Sequence, residues 1–502
     1  MPLVATHLVA GGTFFMIFLK TEPFAHQLHE LEHFGERKSR GLFWEMGCGK
    51  TKPVIDSAAV MYDSGAITGV VVLAPNGVHR NWTEDEIPLH MSEQVSGEVA
   101  SHMWQTAKSR TNKHRLAADK VLKHDGLAVL TMTYSAVMTE PGRQYLRQFF
   151  KDRDCLYVLD EVPAIKTPGA KRTIRIRASA HHAPFRRILS GTLVDDNPFD
   201  TYSPMRFLDD KCWSHLGIRG AAEFRTFFGE WEKSYNSKQG REFQQLVHYK
   251  NLDILRSVLE EWGTHYLKKD VLPNLPPKLY SRRYFDLTPE QWRVYRELRD
   301  EFQTFLSTGE SLTTPLAITR LIRMRQVLSG YLPSDLDDEL RPIGTKNPRL
   351  ETLLEVVQNA EGQQLIVWAV YRQDIDSIME ILRKNNISAV RYDGKCNDAQ
   401  LFEAEDTWKA GKAQVFVSNP AVGGQGLTLN NAPTMIWYNN YYKLSFRRQG
   451  EDRNHRPGQK ATACNIIDIC AAGTIDELVI DALRKKQEVA EFVMGDEKTT
   501  WV

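Results

Sequence analysis

Short apolar runs that stop abruptly at a turn constrain this chain more than any other feature. In its first part they are GLFWEM (41–46), GVVVLAP (69–75), LAVLTM (127–132), CLYVLDE (155–161) and RRILSG (186–191). Each is a block of apolar or β-branched side chains without alternation, the pattern of strands buried on both faces. Longer segments separate them, as crossovers between parallel strands require. From about Pro198 the texture turns helical, through FDTYSPMRFLDD, AAEFRTFFGEWEKSYNSK and NLDILRSVLEEWGTHYLKK. LPNLPPK (272–278) interrupts it, and TPEQWRVYRELRDEFQTFLSTG and PLAITRLIRMRQVLSGYL resume it. Strand-like runs return in QLIVWAVY (364–371), SAVRYDG (388–394), QVFVSNP (414–420), TMIWYNN (434–440) and CNIIDIC (464–470). The expected fold is therefore α/β: two parallel-sheet lobes of nucleotide-binding type with helical insertions. The first lobe covers 1–197 and its insertion 198–271; a linker and second insertion cover 272–345, and the second lobe 346–502.

Composition narrows the setting. With 64 basic and 63 acidic residues the net charge is +1, so a nucleic-acid partner must be gripped by a local basic surface. The six cysteines form no CxxC pair, which speaks against a zinc site or disulfide framework and for a reducing compartment. No run reaches transmembrane length. The opening MPLVATHLVAGGTFFMIFLK lacks a basic start and a small-residue cleavage site, and reads as a pair of short buried strands. An intracellular, cytoplasmic protein that does not engage a membrane is expected.

Chemistry enters at GCGKTK (47–52), directly after a strand. Closely spaced glycines let backbone N–H groups curl around phosphate oxygens, and the following helix adds positive potential at its N-terminus. Gly47, Cys48 and Gly49 would form the cradle, Lys50 would contact the β- and γ-phosphates, and the Thr51 hydroxyl would ligate Mg²⁺. The longer P-loop pattern places a glycine where Trp44 stands. LYVLDEV ends an apolar strand in Asp160 and Glu161. Asp160 would hold Mg²⁺ through water and Glu161 would orient or deprotonate the attacking water. Hydrolysis spreads negative charge over the γ-phosphate, which an arginine stabilises. Arg453 and Arg456, in RQGEDRNHRPGQ (448–459), are spaced to serve it.

These segments, in this order, resemble the Swi/Snf-type double-stranded DNA translocases of helicase superfamily two. PFAHQLHEL resembles the adenine-reading Q motif, with Gln27 its glutamine, and EMGCGKT is close to the family's DEMGLGKT with Trp44 for the acid. VVVLAPNGVHRNW and VLTMTYSAV resemble motif Ia and the strand-end segment after it. DEVPAIKTPGAKR is similar to DEAHRIKN with Pro163 at the histidine, and ILSGTLVDDNPFD to LTGTPIQNN with Ser190 for Thr and Leu193 for Pro. YLKKDVLPNLPPK followed by LTPEQWRVY resembles the connection between lobes. VSNPAVGGQGLTLNNA resembles motif V, RRQGEDRNHRPGQ motif VI, and GTIDELVIDALRKKQ the family's closing helix.

The resemblance implies two RecA-like lobes and an ATP- and Mg²⁺-dependent motor tracking double-stranded or branched DNA. Branch migration, fork reversal or protein displacement would be its work, in replication, recombination or repair. Gly424 and Gln449 would complete the nucleotide site; Ser190, Gly191 and Thr192 would couple it to DNA. Lys166, Thr133, Tyr134, Gly426 and Thr428 would meet the DNA backbone. Two basic stretches, KRTIRIR (171–177) and RLIRMR (320–325), would line the groove or, as is favoured for Arg320 and Arg323, pack amphipathic helices. The compact outline is similar to phage and prokaryotic members, with a monomer as the working unit and a protein partner for targeting. A strand-separating helicase and a nucleotide-gated clamp that hardly hydrolyses ATP remain alternatives.

Overall fold

A computed structural model of the chain describes residues 4–10, 13–191, 193–236, 241–307, 315–333, 340–424 and 427–496. Thr192 and Gly426 lie outside the described residues. The chain forms two compact units. The first takes in the chain up to Phe228, then Lys250–Pro273 and Phe492–Asp496, and the second Gly229–Tyr249 and Asn274–Glu491.

The first unit is built on a seven-stranded sheet in the order Gly263–Thr264, Ser39–Leu42, Phe185–Leu189, Cys155–Asp160, Gly69–Ala74, Leu127–Thr133, Val99–Met103. Every neighbouring pair is parallel. The unalternating runs are buried on both faces: Val71, Val72, Leu73, Leu156, Tyr157, Val158 and Leu159 are all 0% exposed. Burial of each large aliphatic side chain stabilises by about 1.5–3 kcal/mol. All strands point the same way, so the turns after Leu42, Ala74, Thr133, Asp160 and Leu189 open along one edge of the sheet. The expected N-terminal strand pair is present as an antiparallel hairpin, Val4–Ala10 with Thr13–Leu19.

The second unit holds a six-stranded, wholly parallel sheet in the order Lys278–Phe285, Cys464–Ala471, Thr434–Trp437, Leu365–Trp368, Val415–Ser418, Ala389–Tyr392. Helices Pro348–Gln358 and Arg372–Lys384 lie where the periodicity places them.

Several local expectations change. Gly229–Asn236 and Arg241–Tyr249, expected within a helical insertion, pair as an antiparallel ribbon. Cross-strand partners such as Trp231 with Leu246 and the Lys233–Glu242 ion pair at 3.1 Å favour a ribbon over a helix. LPPKLYSRRYF is more than a breaker: Lys278–Phe285 is the edge strand of the second sheet, in register with Cys464–Ala471. KRTIRIR is helical, not extended, and lies in Lys171–Ala180 with Thr173, Ile176 and Ala180 buried. RLIRMR belongs to the amphipathic helix Pro315–Leu328, whose Met324, Val327 and Leu328 are buried. Among the described residues no helix is long and apolar enough to cross a membrane.

Candidate active site

In the first unit the sequence-predicted phosphate loop closes strand Ser39–Leu42 and leads into helix Thr51–Asp63. Gly47 and Gly49 adopt φ of 89° and 74°, the left-handed region that glycine enters without a Cβ penalty. A Cβ on Gly49 would lie 2.3 Å from Gln27 Nε2. Lys50 precedes the helix, and its Nζ donates to the carbonyls of Trp44 (2.9 Å) and Glu45 (3.4 Å). Thr51 begins the helix, where backbone N–H groups and the macrodipole favour an anion. Cys48 is wholly buried, and its carbonyl lies 2.8 Å from His26 Nε2.

Helix Ala25–Phe34 brings Gln27 to this loop. The Gln27 amide accepts from Phe24 N at 2.8 Å and donates to Gly49 O at 2.9 Å. The predicted adenine-reading residue is thereby tied to the predicted phosphate cradle, and it is only 4% exposed. The coupling segment also reaches the loop. Ser190 N donates to Leu42 O at 3.1 Å, and a Cβ on Gly191 would lie 2.6 Å from Met46 Cγ, so the backbones pass in close contact.

Asp160 and Glu161 occupy the end of Cys155–Asp160. Asp160 is 8% exposed. Burial pushes its carboxyl above the usual carboxylate range, opposed by the hydrogen bond from Trp82 and by the positive charge of Lys50. Trp82 Nε1 donates to Asp160 Oδ2 at 2.9 Å. Glu161 has φ 57°, a strained conformation for a residue with a side chain, and of the kind that clusters at functional sites. Pro163 enters the short 3₁₀ helix Val162–Ile165 in its first turn, where a missing N–H is tolerated. Leu193 is packed in the core at 4% exposure.

Two expected DNA contacts are otherwise engaged. Lys166 reaches Asp195 at 2.8 Å, Asp196 at 2.5 Å and Asp200 at 3.5 Å. Burial works against its charge, yet the three carboxylates outweigh that and raise its pKa. Tyr134 is 4% exposed and its hydroxyl donates to Asp160 O at 2.7 Å. Its ring is held in the core by that bond, with burial pushing the phenol well above its usual range. Thr133 is half-buried, and its hydroxyl accepts from Ala136 N at 3.2 Å.

In the second unit, helix Leu444–Glu451 delivers the arginine segment. Arg447 is 1% exposed and binds Glu451 at 2.6 Å, Asp468 at 2.5 Å and Asn440 Oδ1 at 2.9 Å. Glu451 also takes Lys278 at 3.1 Å and the Tyr280 hydroxyl at 2.9 Å. Every charge in this buried cluster has opposite charge or a donor beside it, the condition under which burial is tolerated. Arg453 is 1% exposed and donates to Gln449 O at 2.9 Å and Leu427 O at 3.0 Å. Arg456 is half-buried and donates to Asp452 O at 2.9 Å and Thr428 Oγ1 at 3.3 Å. The two arginines, expected to act alike, thus differ: Arg453 fixes the chain and Arg456 lies nearer the surface. Both lie past the end of the helix. Gly424 packs against Gln449, whose Cβ would be 3.6 Å from a Cβ at Gly424. Thr428 is exposed.

The profile of the SNF2-related domain matches residues 26–329, more than half of the chain. The chain belongs to the SNF2-related family. The helicase conserved C-terminal domain matches residues 346–458, the stretch that carries Gly424, Gln449, Arg453 and Arg456. An uncharacterized ATP-dependent helicase of Mycoplasma pneumoniae is 23% identical over 457 residues, covering 90% of this chain and 40% of that protein. Chromatin remodeling factor mit1 of Schizosaccharomyces pombe is 23% identical over 466 residues, covering 88% and 30%. Human DNA annealing helicase and endonuclease ZRANB3 is 22% identical over 466 residues, covering 90% and 38%. The chain therefore spans about 30–40% of the length of these relatives. A solved Sulfolobus solfataricus SWI2/SNF2 ATPase core in complex with dsDNA aligns over 95% of this chain and 94% of its own. Its sequence identity is 18% and the TM-score 0.41.

Trp44, Trp82 and Arg447 were given no role by the sequence reading. The only signal for the first is its place where relatives carry an acid. Trp82 and Arg447 stand inside quoted motifs but announce nothing about their partners, Asp160 and Asp468, far along the chain.

Proposed function

We propose that this chain is an ATP-dependent translocase on double-stranded or branched DNA that remodels what it tracks along. Membership of the SNF2-related family supports this reading, and the strand-end site of Lys50, Thr51, Asp160 and Glu161 carries it. A hydroxyl and a carboxylate are hard oxygen donors suited to Mg²⁺, so Thr51 and Asp160 would hold that ion. Lys50 and the loop N–H groups would bind the phosphates, and Gln27 would report the adenine to Gly49. The metal, when bound, would neutralise charge on the phosphate oxygens. Glu161 would orient the attacking water, held by its strained backbone at the strand end. Arg456 is assigned to the charge that develops on the γ-phosphate, with Arg453, Gly424 and Gln449 shaping the segment that presents it. Duplex tracking without sequence preference needs backbone phosphate contacts. Thr133 and Thr428, both at loop positions, are assigned to that role, while Lys166 and Tyr134 are not.

The test is steady-state ATPase activity with no nucleic acid, single-stranded DNA, duplex DNA and a branched junction, beside Lys50→Ala and Arg456→Ala. Stimulation by duplex or junction that disappears in both variants supports the proposal. Stimulation by single strands alone would put strand separation in its place. Nucleotide binding without hydrolysis would leave a clamp.

A further inference from the structure

The segment Gly263–Lys268 runs beside the residues that enter the phosphate loop and is bonded to them at almost every step. Gly263 and Thr264 pair in parallel with Gly41 and Leu42. Beyond that point Phe43 N donates to Thr264 O and Glu45 N to Tyr266 O, both at 2.9 Å. Lys268 N donates to Glu45 Oε2 at 2.8 Å, and His265 Nδ1 lies 2.6 Å from Phe43 O. A Cβ on Gly47 would come within 3.1 Å of Lys268 Cε, so the buried Lys268 side chain lies against the loop itself.

A side-chain relay crosses this ladder. Trp44, 0% exposed, donates from Nε1 to Thr264 Oγ1 at 2.9 Å, and the Thr264 hydroxyl donates to Glu30 Oε2 at 2.6 Å. Glu30 is paired with Arg40 at 3.3 Å. A threonine hydroxyl has one proton to give and lone pairs to accept, so this chain of bonds runs in one direction, from Trp44 to Glu30. The Trp44 ring is also packed edge-on against His26 and Tyr266, with centroids 5.0 and 5.3 Å away. The relay thus joins the helix that carries Gln27, the short strand at 263–264, and the first residue of the loop entry. It ends where it matters for chemistry, because the Trp44 carbonyl is the 2.9 Å acceptor of Lys50 Nζ. Rotating that peptide moves the ammonium.

We propose that Gly263–Lys268 is a clamp that sets the phosphate loop, with Thr264 as its positioning residue acting on Lys50 through Trp44. This deepens the ATP reading above and rests on it. It also gives the tryptophan a task that the acid of relatives performs differently: an indole reaches across to the hydroxyl and seals the loop's base with apolar surface. The same segment continues to Asn274, where the second unit begins, so displacement of the connecting chain is delivered to the carbonyl that holds Lys50.

The test uses the full chain and a fluorescent ATP analogue, with Thr264→Val, Thr264→Ser and Trp44→Phe, each also combined with Lys50→Ala. Loss of one relay bond is expected to weaken analogue binding about ten-fold in Thr264→Val and Trp44→Phe. Thr264→Ser, which keeps the hydroxyl, should stay within about two-fold. In the Lys50→Ala background the Thr264→Val penalty should shrink to less than about two-fold, because the clamp acts through that lysine. A penalty that adds in full to Lys50→Ala, or an equal loss in Thr264→Ser, overturns the proposal. Trp44→Phe carries the test if Thr264→Val does not fold. If the wild-type chain binds the analogue and never hydrolyses ATP, the motor reading falls while these binding arms still decide the clamp.

Discussion

Replacing Trp82 by Phe removes one N–H from beside Asp160 and leaves most of the ring packing in place. Trp82 is 2% exposed and Asp160 8%, with the bond between them 2.9 Å long. A hydrogen bond to a charged acceptor is worth about 1.5–3 kcal/mol. At about 1.4 kcal/mol per pKa unit, its loss raises the Asp160 pKa by about one to two units. The direction adds to what burial already does to this carboxyl. An acid with a raised native pKa loses its ionised form sooner as pH falls. The acid limb of the ATPase pH profile in Trp82→Phe should therefore move up by about one to two units, and the Mg²⁺ requirement near neutrality should rise. Stability follows the same sign. At pH 8, with Asp160 ionised, the variant should be about 1.5–3 kcal/mol less stable to urea, and the gap should narrow as pH falls through the raised pKa. A pH–rate profile that superimposes on wild type, together with a pH-independent stability difference, would refute the reasoning.

Glu161→Gly should remove the cost of a left-handed glutamate (φ 57°), stabilising by about 1 kcal/mol while abolishing hydrolysis; a lower melting temperature contradicts this. Lys166→Ala should strip the cation from among Asp195, Asp196 and Asp200 and destabilise by about 1–3 kcal/mol. Duplex affinity, read by anisotropy, should stay within about two-fold, and a fall in affinity with unchanged stability would restore Lys166 to the DNA surface. Both ring nitrogens of His265 face acceptors, Phe43 O at 2.6 Å and Asp496 Oδ1 at 2.6 Å, an arrangement only the imidazolium satisfies. Burial opposes that charge, but Asp496 and the Phe43 carbonyl outweigh it and raise the pKa. The contribution is complete below the unfolded value of about 6.5 and is lost as pH rises through the raised native value. His265→Gln should accordingly be destabilised most at pH 6 and least at pH 9; a difference that does not vary with pH argues against the charged link.

What could be read from sequence was what neighbouring residues encode. The buried runs at 69–75 and 155–161 show their burial in their own composition. The glycines at 47 and 49 announce a loop because no other residue enters that backbone region freely. Strands at sheet edges were harder. Val99–Met103 (VASHM) and Lys278–Phe285 (KLYSRRYF) mix polar with apolar side chains, since one side of each faces no further strand. The two-residue strand Gly263–Thr264 is too short to carry any period. The ribbon at Gly229–Tyr249 was hidden by flanking helices of similar composition. At the site, lysine, threonine and the two carboxylates were legible from motif and spacing. Trp82, Tyr134 and Thr264 were not, because their partners lie 78, 26 and 234 residues away in sequence and only the folded sheet brings them together. Lys166 was misplaced for the same reason: its three aspartates follow it by about thirty residues.

The central claim is that ATP hydrolysis at Lys50, Asp160 and Glu161 drives movement along an intact duplex. Displacement of a triplex-forming strand from duplex DNA measures that movement without requiring the duplex to open. The account predicts release that depends on ATP, fails in Lys50→Ala and Glu161→Gln, and leaves the underlying duplex paired. Hydrolysis stimulated by duplex DNA with no release of the third strand, or release only when the duplex itself separates, would contradict it.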